Sequence, residues 1–172
     1  MRPTATVYRA HNPKWAFAPE SGEGAALTGG RFNPRGVKAL YTSVRFETAW
    51  LEAQQAFPFK AQPLTLCAYG VDCTDVLDLT DPATLAARAI TPADLACGWK
   101  DLESRGIRPP SWVVADRLIR DGAAAIVVPS YASGATVADI NVVFWDWSPA
   151  PPHQVLVVDD ERRLSTDVSS WR

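Results

Sequence analysis

Gly29-Gly30-Arg31-Phe32-Asn33-Pro34-Arg35-Gly36-Val37-Lys38-Ala39-Leu40-Tyr41-Thr42-Ser43 reads as a turn that feeds a strand. Its glycines let backbone N–H groups come close to a ligand, and a guanidinium offers a planar fork that matches a phosphate or a carboxylate. Asn33-Pro34 makes the turn, and Val37 to Thr42 has the length and composition of a short strand ending on Tyr41. A helix follows. Ser43 stands where a cap belongs, and Phe46, Ala49, Trp50 and Ala53 recur at helical spacing, which predicts a helix over 44–56 with those four on its buried face. Glu52 sits at the edge of that face, so a carboxylate returns one helix after the arginine turn.

Working outward, Thr4 to Ala10 reads as a first strand and 11–28 as a long Gly/Ala/Pro-containing loop, long enough to serve a function such as closing over a ligand. Leu64 to Val71 and Asp75 to Leu79 read as strands. Asp81-Pro82 and Thr91-Pro92 each resemble a cap followed by proline at the first helical position, predicting two short helices. Gly98 to Pro110 reads as an exposed loop before a helix from Ser111 to Asp121 that stops at Gly122. Ala123 to Val128, Asp139 to Trp147 and Gln154 to Val158 are strand-like. Strands outnumber helices without βαβ alternation, which predicts an α+β fold: a compact single domain, 1–172 with a core over about 5–158, around a central mainly antiparallel or mixed sheet flanked by helices.

The length of 172 residues suits one core and burial of about 70% of the unfolded surface. Apolar content of 47% and charged content of 21% exclude global disorder. A net charge of −2 argues against direct binding of nucleic acid, which rests on a basic patch, so any contact with DNA is expected through a partner. Cys67, Cys73 and Cys97 form no C-x-x-C pair and suit reduced thiols. No apolar run approaches the roughly 18 residues of a membrane helix, and the opening lacks a signal-peptide core. A cytoplasmic protein without a membrane partner is expected.

Taken singly, the candidate residues have ordinary readings. An arginine beside a turn is most often a surface charge, yet two or three guanidiniums, from Arg31 with Arg9 and Arg35, beside the glycines suit a pyrophosphate. The turn is neither a Walker loop nor a G-x-G-x-x-G turn, which disfavours kinases and dehydrogenases. Glu52 alone would be a solvated helix residue, and Ser130 a turn residue after Pro129 with no G-x-S-x-G around it. His11 and His153 fit neither a triad nor zinc spacing, and no metal is expected. Among the tryptophans, Trp50, Trp112 and Trp145 are assigned to the core, Trp147 to the opposite sheet face from Trp145, and Trp15 to the long loop.

Val7-Tyr8-Arg9, the Gly-Gly-Arg-Phe-Asn segment, Leu40-Tyr41-Thr42-Ser43, Glu52 within Glu47-Thr48-Ala49-Trp50-Leu51-Glu52-Ala53, and Pro129-Ser130 ahead of Asn141 fall in the order found in RES-domain proteins. Over roughly residues 5 to 145 the chain resembles a RES toxin. The arginine, glutamate and serine for which that domain is named correspond to Arg31, Glu52 and Ser130. Two departures stand out: Phe32 replaces the usual tryptophan, and the stretch after Ser130 is idiosyncratic.

The resemblance implies a compact relative of the ADP-ribosyltransferase fold, and an enzyme that cleaves NAD+ at its nicotinamide–ribose bond. ADP-ribose would pass to a target protein, for example an enzyme of nucleotide metabolism, or to inorganic phosphate. The alternatives are an NAD+ glycohydrolase that uses water and a non-catalytic nucleotide-phosphate-binding module. Arg31, Glu52, Tyr41 and Ser130 are the implied catalytic set, and Arg9, Gly30, Arg31, Asn33, Tyr41 and Ser130 the implied NAD+ contacts. Glu52 would stabilise the oxocarbenium-like ribose, while Tyr41 would stack on nicotinamide with its hydroxyl on ribose or phosphate. The implied partner is a cognate antitoxin with a helix-turn-helix DNA-binding part that covers the active site.

Overall fold

The computed structural model describes residues 4–55 and 59–169. The chain begins with β1 (Thr4–His11), a 3-10 turn at Pro13–Trp15, α1 (Glu23–Thr28), β2 (Leu40–Ser43) and α2 (Phe46–Gln54). It continues through β3 (Thr65–Cys73), β4 (Val76–Asp78), α3 (Pro82–Ala87), α4 (Pro92–Leu95), α5 (Trp99–Ser104) and α6 (Pro110–Arg120), and closes with β5 (Ala125–Pro129), β6 (Ile140–Phe144) and β7 (His153–Val157). The strands form one sheet in the order β4-β5-β6-β2-β1-β3-β7. Every pairing is antiparallel except the parallel β4–β5 edge. The α+β architecture with a mixed sheet is the expected one.

Alternation along the strands sends side chains to two faces. On one face Val7, Leu40, Tyr69, Phe144 and Val155 form a core closed by Trp147 and Leu164. The segment before α1 seals it, because Tyr69 donates to the Pro19 carbonyl at 2.7 Å and Trp147 to the Glu20 carbonyl at 3.0 Å. On the other face Phe32, Leu79, Leu95, Leu118, Ile126 and Val143 gather under α4 and α6, with Tyr41 and Trp145 partly buried against them. Trp145 and Trp147 therefore serve opposite faces, as the alternation predicts.

Several local expectations are corrected. The 11–28 loop contains α1, and the 98–110 loop contains α5. β2 begins only at Leu40, because Val37 is still in the turn and donates to the Pro34 carbonyl at 3.2 Å. Ser43 does not cap α2: it lies in β2 and donates to Asn141, while Arg45 takes the cap position without a side-chain bond. The predicted buried stripe of α2 is also rotated. Phe46 and Trp50 are 51% and 40% exposed, whereas Thr48 and Ala49 are buried. Thr48 turns inward because its hydroxyl donates to the Asp139 carboxylate at 2.6 Å, a bond that hydrophobic periodicity does not register. Ala56, the expected end of this helix, lies outside the described residues.

One topological detail positions the site. β1 and β2 are neighbours in the sheet, yet they share a single register pair, Tyr8 with Ser43, while β1 and β3 stay paired from Thr4 to His11. The two halves of the sheet part beyond Tyr8, and α2 lies against both β1 and β2 beside the opening.

Candidate active site

Beside the parting of the strands lies a cleft with two lobes. A narrow one, about 230 Å³, lies between β1, β2 and α2 and is bordered by Tyr8, Arg9, Ser43 and Ala53. A wide one, about 760 Å³, is bordered by Gly30, Arg31, Gln55, Trp99, Lys100 and Tyr131. Tyr41, Glu52 and Asn141 line both lobes and mark their junction.

The arginine loop is built before it can bind anything. Gly29 ends α1 at a φ of 71°, a left-handed conformation that a side chain disfavours. Gly30 lies so close to β2 that a Cβ there would stand 2.5 Å from the Tyr41 hydroxyl and 2.6 Å from Asn33 Oδ1. Asn33 is fully buried and spends its amide on the loop, donating to the Ala25 and Val37 carbonyls at 2.8 Å each. Its Oδ1 accepts from the Tyr41 hydroxyl at 2.7 Å, and that hydroxyl accepts the Phe32 N–H at 2.9 Å. Burial pushes the Tyr41 hydroxyl well above its ordinary pKa and keeps it neutral.

These bonds define what three expected contact residues offer to a ligand. Asn33 lines neither lobe and has its polar atoms engaged, so it shapes the loop. The Gly30 N–H is spent on the Asn33 carbonyl at 2.9 Å, although Gly30 itself lines the wide lobe. Tyr41 offers its ring to the cleft, while its hydroxyl is occupied on the protein side.

Arg31 leaves the loop into the wide lobe. Its Nη1 donates to the Leu95 and Cys97 carbonyls at 3.1 and 2.6 Å, and its guanidinium carbon stands 4.5 Å from the centroid of the Tyr131 ring. The Ser111 hydroxyl fixes the Arg31 carbonyl at 2.5 Å. Nε and Nη2 have no partner among the described residues. Arg9 borders the narrow lobe and donates to the Pro19 and Ser21 carbonyls at 3.0 and 3.3 Å. Arg35 goes elsewhere: it is exposed, pairs with Glu103 at 2.9 Å and lines neither lobe. Of the two or three guanidiniums expected beside the turn, Arg9 and Arg31 reach the cleft, in different lobes.

Glu52 stands at the junction with both carboxylate oxygens engaged. Oε1 accepts from the Ser130 hydroxyl and from Asn141 Nδ2, each at 2.5 Å. Oε2 accepts from Gln55 Nε2 at 2.6 Å. Ser43 donates to Asn141 Oδ1 at 2.7 Å, which turns the amide so that its nitrogen faces Glu52. β2, β6, the end of β5 and α2 thus converge on one carboxylate. The structure brings Arg31, Tyr41, Glu52 and Ser130 together, with Arg9 across the narrow lobe.

A sequence profile of the RES domain matches residues 6–167. The chain belongs to the RES-domain family. Among solved structures it is similar to a chain of the M. tuberculosis MbcT–MbcA toxin–antitoxin complex, with a TM-score of 0.62 and 21% identity, covering 92% of this chain and 84% of that one. None of the curated proteins matches it in sequence. In this RES domain, Phe32 at the usual tryptophan position is 2% exposed and lies against Tyr131, its ring centroid 6.3 Å away. The substitution thus falls in the packing beneath Arg31. Asn141, Ser43, Gln55 and Tyr131 complete the site although none was assigned a role from the sequence. Asn141 had a signal, its place after Pro129-Ser130 in the family order, and Gln55 had another, its spacing of three residues from Glu52 on a helix.

Proposed function

We propose that this RES domain is the toxin of a type II toxin–antitoxin pair that cleaves NAD+ at the nicotinamide–ribose bond and transfers ADP-ribose to a target protein or to inorganic phosphate. The observation that carries this reading is the setting of Glu52. Three neutral donors orient its carboxylate, and no ion pair to it exists among the described residues. A carboxylate held in that way keeps its charge for a cation that develops in the transition state. Loss of nicotinamide from NAD+ generates such a cation on the ribose, and the leaving group departs neutral without a general acid. Arg31, with Nε and Nη2 free in the wide lobe, is suited to the pyrophosphate, and the Tyr41 ring at the junction to a flat heterocycle. A module that merely held a phosphate would have no use for a carboxylate gripped by three elements.

Nicotinamide release from NAD+ by the purified chain, measured with and without inorganic phosphate and with cell extract, tests the reading. Release is expected, and the additive that accelerates it identifies the acceptor. No release under any of these conditions overturns the enzymatic reading.

The partner we propose is an antitoxin with a helix-turn-helix DNA-binding part that occupies the cleft around Arg31, Tyr41 and Glu52. The similar chain belongs to a toxin–antitoxin complex, which supports such an arrangement. The co-purified complex should bind NAD+ poorly and release no nicotinamide until the partner is removed by proteolysis. Full turnover by the intact complex rules out steric restraint.

A further inference from the structure

Glu52 has a neighbour whose hydrogen bonds leave one atom free. Gln55 lines the wide lobe, on the solvent side of Glu52, and is itself exposed. Its Nε2 donates to Glu52 Oε2 at 2.6 Å and to the Glu52 backbone carbonyl at 3.3 Å. A primary amide nitrogen carries two hydrogens, so both are spent on Glu52. The carbonyl oxygen Oε1 has no partner among the described residues. Gln55 therefore meets the wide lobe as an acceptor only, next to the one carboxylate oxygen that still has a lone pair to offer, since Oε1 of Glu52 already takes two donors.

From this geometry we infer that Gln55 selects and aligns the acceptor of ADP-ribose. The inference rests on the NAD+-cleaving reading above. The bond from the anomeric carbon to the nicotinamide nitrogen breaks with its electron pair going to nitrogen. An oxygen of the acceptor then supplies the pair for the new bond to that carbon, and the proton it carries leaves through Glu52 Oε2 to solvent. An O–H that the acceptor retains through the attack needs a hydrogen-bond acceptor of its own on the open side of the site, and the Gln55 carbonyl supplies one. The group favours acceptors that keep an O–H besides any proton that leaves, water or a hydrogen phosphate, over an alcohol or a serine or threonine hydroxyl, whose one proton goes to Glu52. Because Gln55 touches the incoming group, its effect falls on the choice of product, while its two bonds to Glu52 affect every product alike.

The test is competition between two acceptors of known chemistry. The parent chain, Gln55→Met and Gln55→Ala are each incubated with NAD+ in water containing methanol. Nicotinamide, ADP-ribose and methyl ADP-ribose are then quantified. Methionine keeps the length of glutamine without its polar atoms, and the position is exposed at a helix end, so the fold is retained. The expected result is that the ratio of methyl product to hydrolysis product moves about threefold to tenfold towards the mole ratio of methanol to water, the worth of one neutral hydrogen bond. Total nicotinamide release falls as well, by a separate factor. An unchanged ratio overturns the inference, whether or not total release falls, since a Gln55 that only steadies Glu52 lowers both products in parallel. If the parent releases no nicotinamide, the reading beneath the inference fails and the inference falls with it; release by the parent with an unmoved ratio in the variants refutes the inference alone.

Discussion

Replacing Glu52 by glutamine removes a charge and almost no volume, and the structure predicts what the site does in response. A glutamine carbonyl at position 52 can still accept from Ser130 and Asn141, whose amide is held in place by Ser43. Its NH2 then faces Gln55 Nε2, donor against donor, and the exposed Gln55 amide turns over to present its carbonyl. Each of the three bonds changes from a charged to a neutral acceptor, a loss of about 1 kcal/mol apiece, offset by relief of the cost of holding a carboxylate half-buried. The net cost to stability is about 1 kcal/mol, a drop of roughly 2–4 °C in Tm for a domain of this size. Catalysis suffers more. Removing a preorganised group that stabilises developing charge typically costs about 2.7–4 kcal/mol, a factor of roughly 10² to 10³ in kcat. Nicotinamide release read beside a thermal melt separates the two effects. A folded Glu52→Gln variant that releases nicotinamide within about tenfold of the parent refutes the role assigned to the carboxylate, since about 1.4 kcal/mol is then its whole contribution.

Arg31→Ala should weaken NAD+ binding at least tenfold, because a pyrophosphate loses charge-assisted bonds of roughly 1.5–3 kcal/mol each; Arg31→Lys should rescue poorly for want of the planar fork, and an unchanged affinity by titration would sink the clamp. Asn141→Leu should lower kcat about tenfold with little change in KM, since it frees one side of Glu52 Oε1, and a loss confined to KM would instead place Asn141 on the substrate. His11, 7% exposed with neither ring nitrogen bonded among the described residues, is held down from 6.5 to about 4 by burial and by the nearby Arg9 charge. Its neutral form belongs to the folded state, so the folded chain pays nothing above pH 6.5 and loses stability as pH falls from there towards 4, by about 2 kcal/mol between pH 8 and pH 5. Urea denaturation of His11→Phe should remove that part of the slope, and a slope identical to the parent's would show that His11 is not its source.

Local chemistry made some elements legible and tertiary contacts hid others. α3 and α4 were read from Asp81-Pro82 and Thr91-Pro92, and both caps are present: Asp81 accepts from the Ala83 and Thr84 N–H groups, and Thr91 with Asp94 forms a reciprocal capping box. α1 and α5 are as short as α3, but they follow Gly22 and Gly98, which offer no side-chain cap. Helices of six residues do not stand on propensity alone. α5 instead leans on α6 through Trp99 and Trp112, whose ring centroids are 6.2 Å apart, a pairing that no local pattern encodes. The site divides along the same line. Arg31, Tyr41 and Glu52 come from one continuous stretch, whereas Asn141 is 89 positions from Glu52 and looks, in its own segment, like any polar residue of a strand. Arg35 misled for the opposite reason: nearness in sequence to Arg31 suggested a shared ligand, but the turn at Pro34 sends the two guanidiniums apart.

The glycine pair also gains a different meaning once its surroundings are known. Glycines before an arginine suggest backbone donors aimed at a phosphate, yet here Gly30 is required because the loop presses on the end of β2. Tyr41 reaches across that contact with both hydrogen-bonding capacities of its hydroxyl used, on Asn33 and on the Phe32 N–H. The same close approach places the loop over Trp112, whose indole donates to the Gly30 carbonyl at 2.7 Å, and Trp145, which donates to the Phe32 carbonyl at 2.9 Å. The backbone on either side of Arg31 is therefore pinned by aromatic side chains from three elements before a ligand arrives. A guanidinium so placed pays little ordering entropy on binding, which is the physical use of having glycine, asparagine and tyrosine together at this point. A ligand bound by Arg31 would be held from a loop that is rigid because it is packed, and the wide lobe supplies the space into which the guanidinium projects.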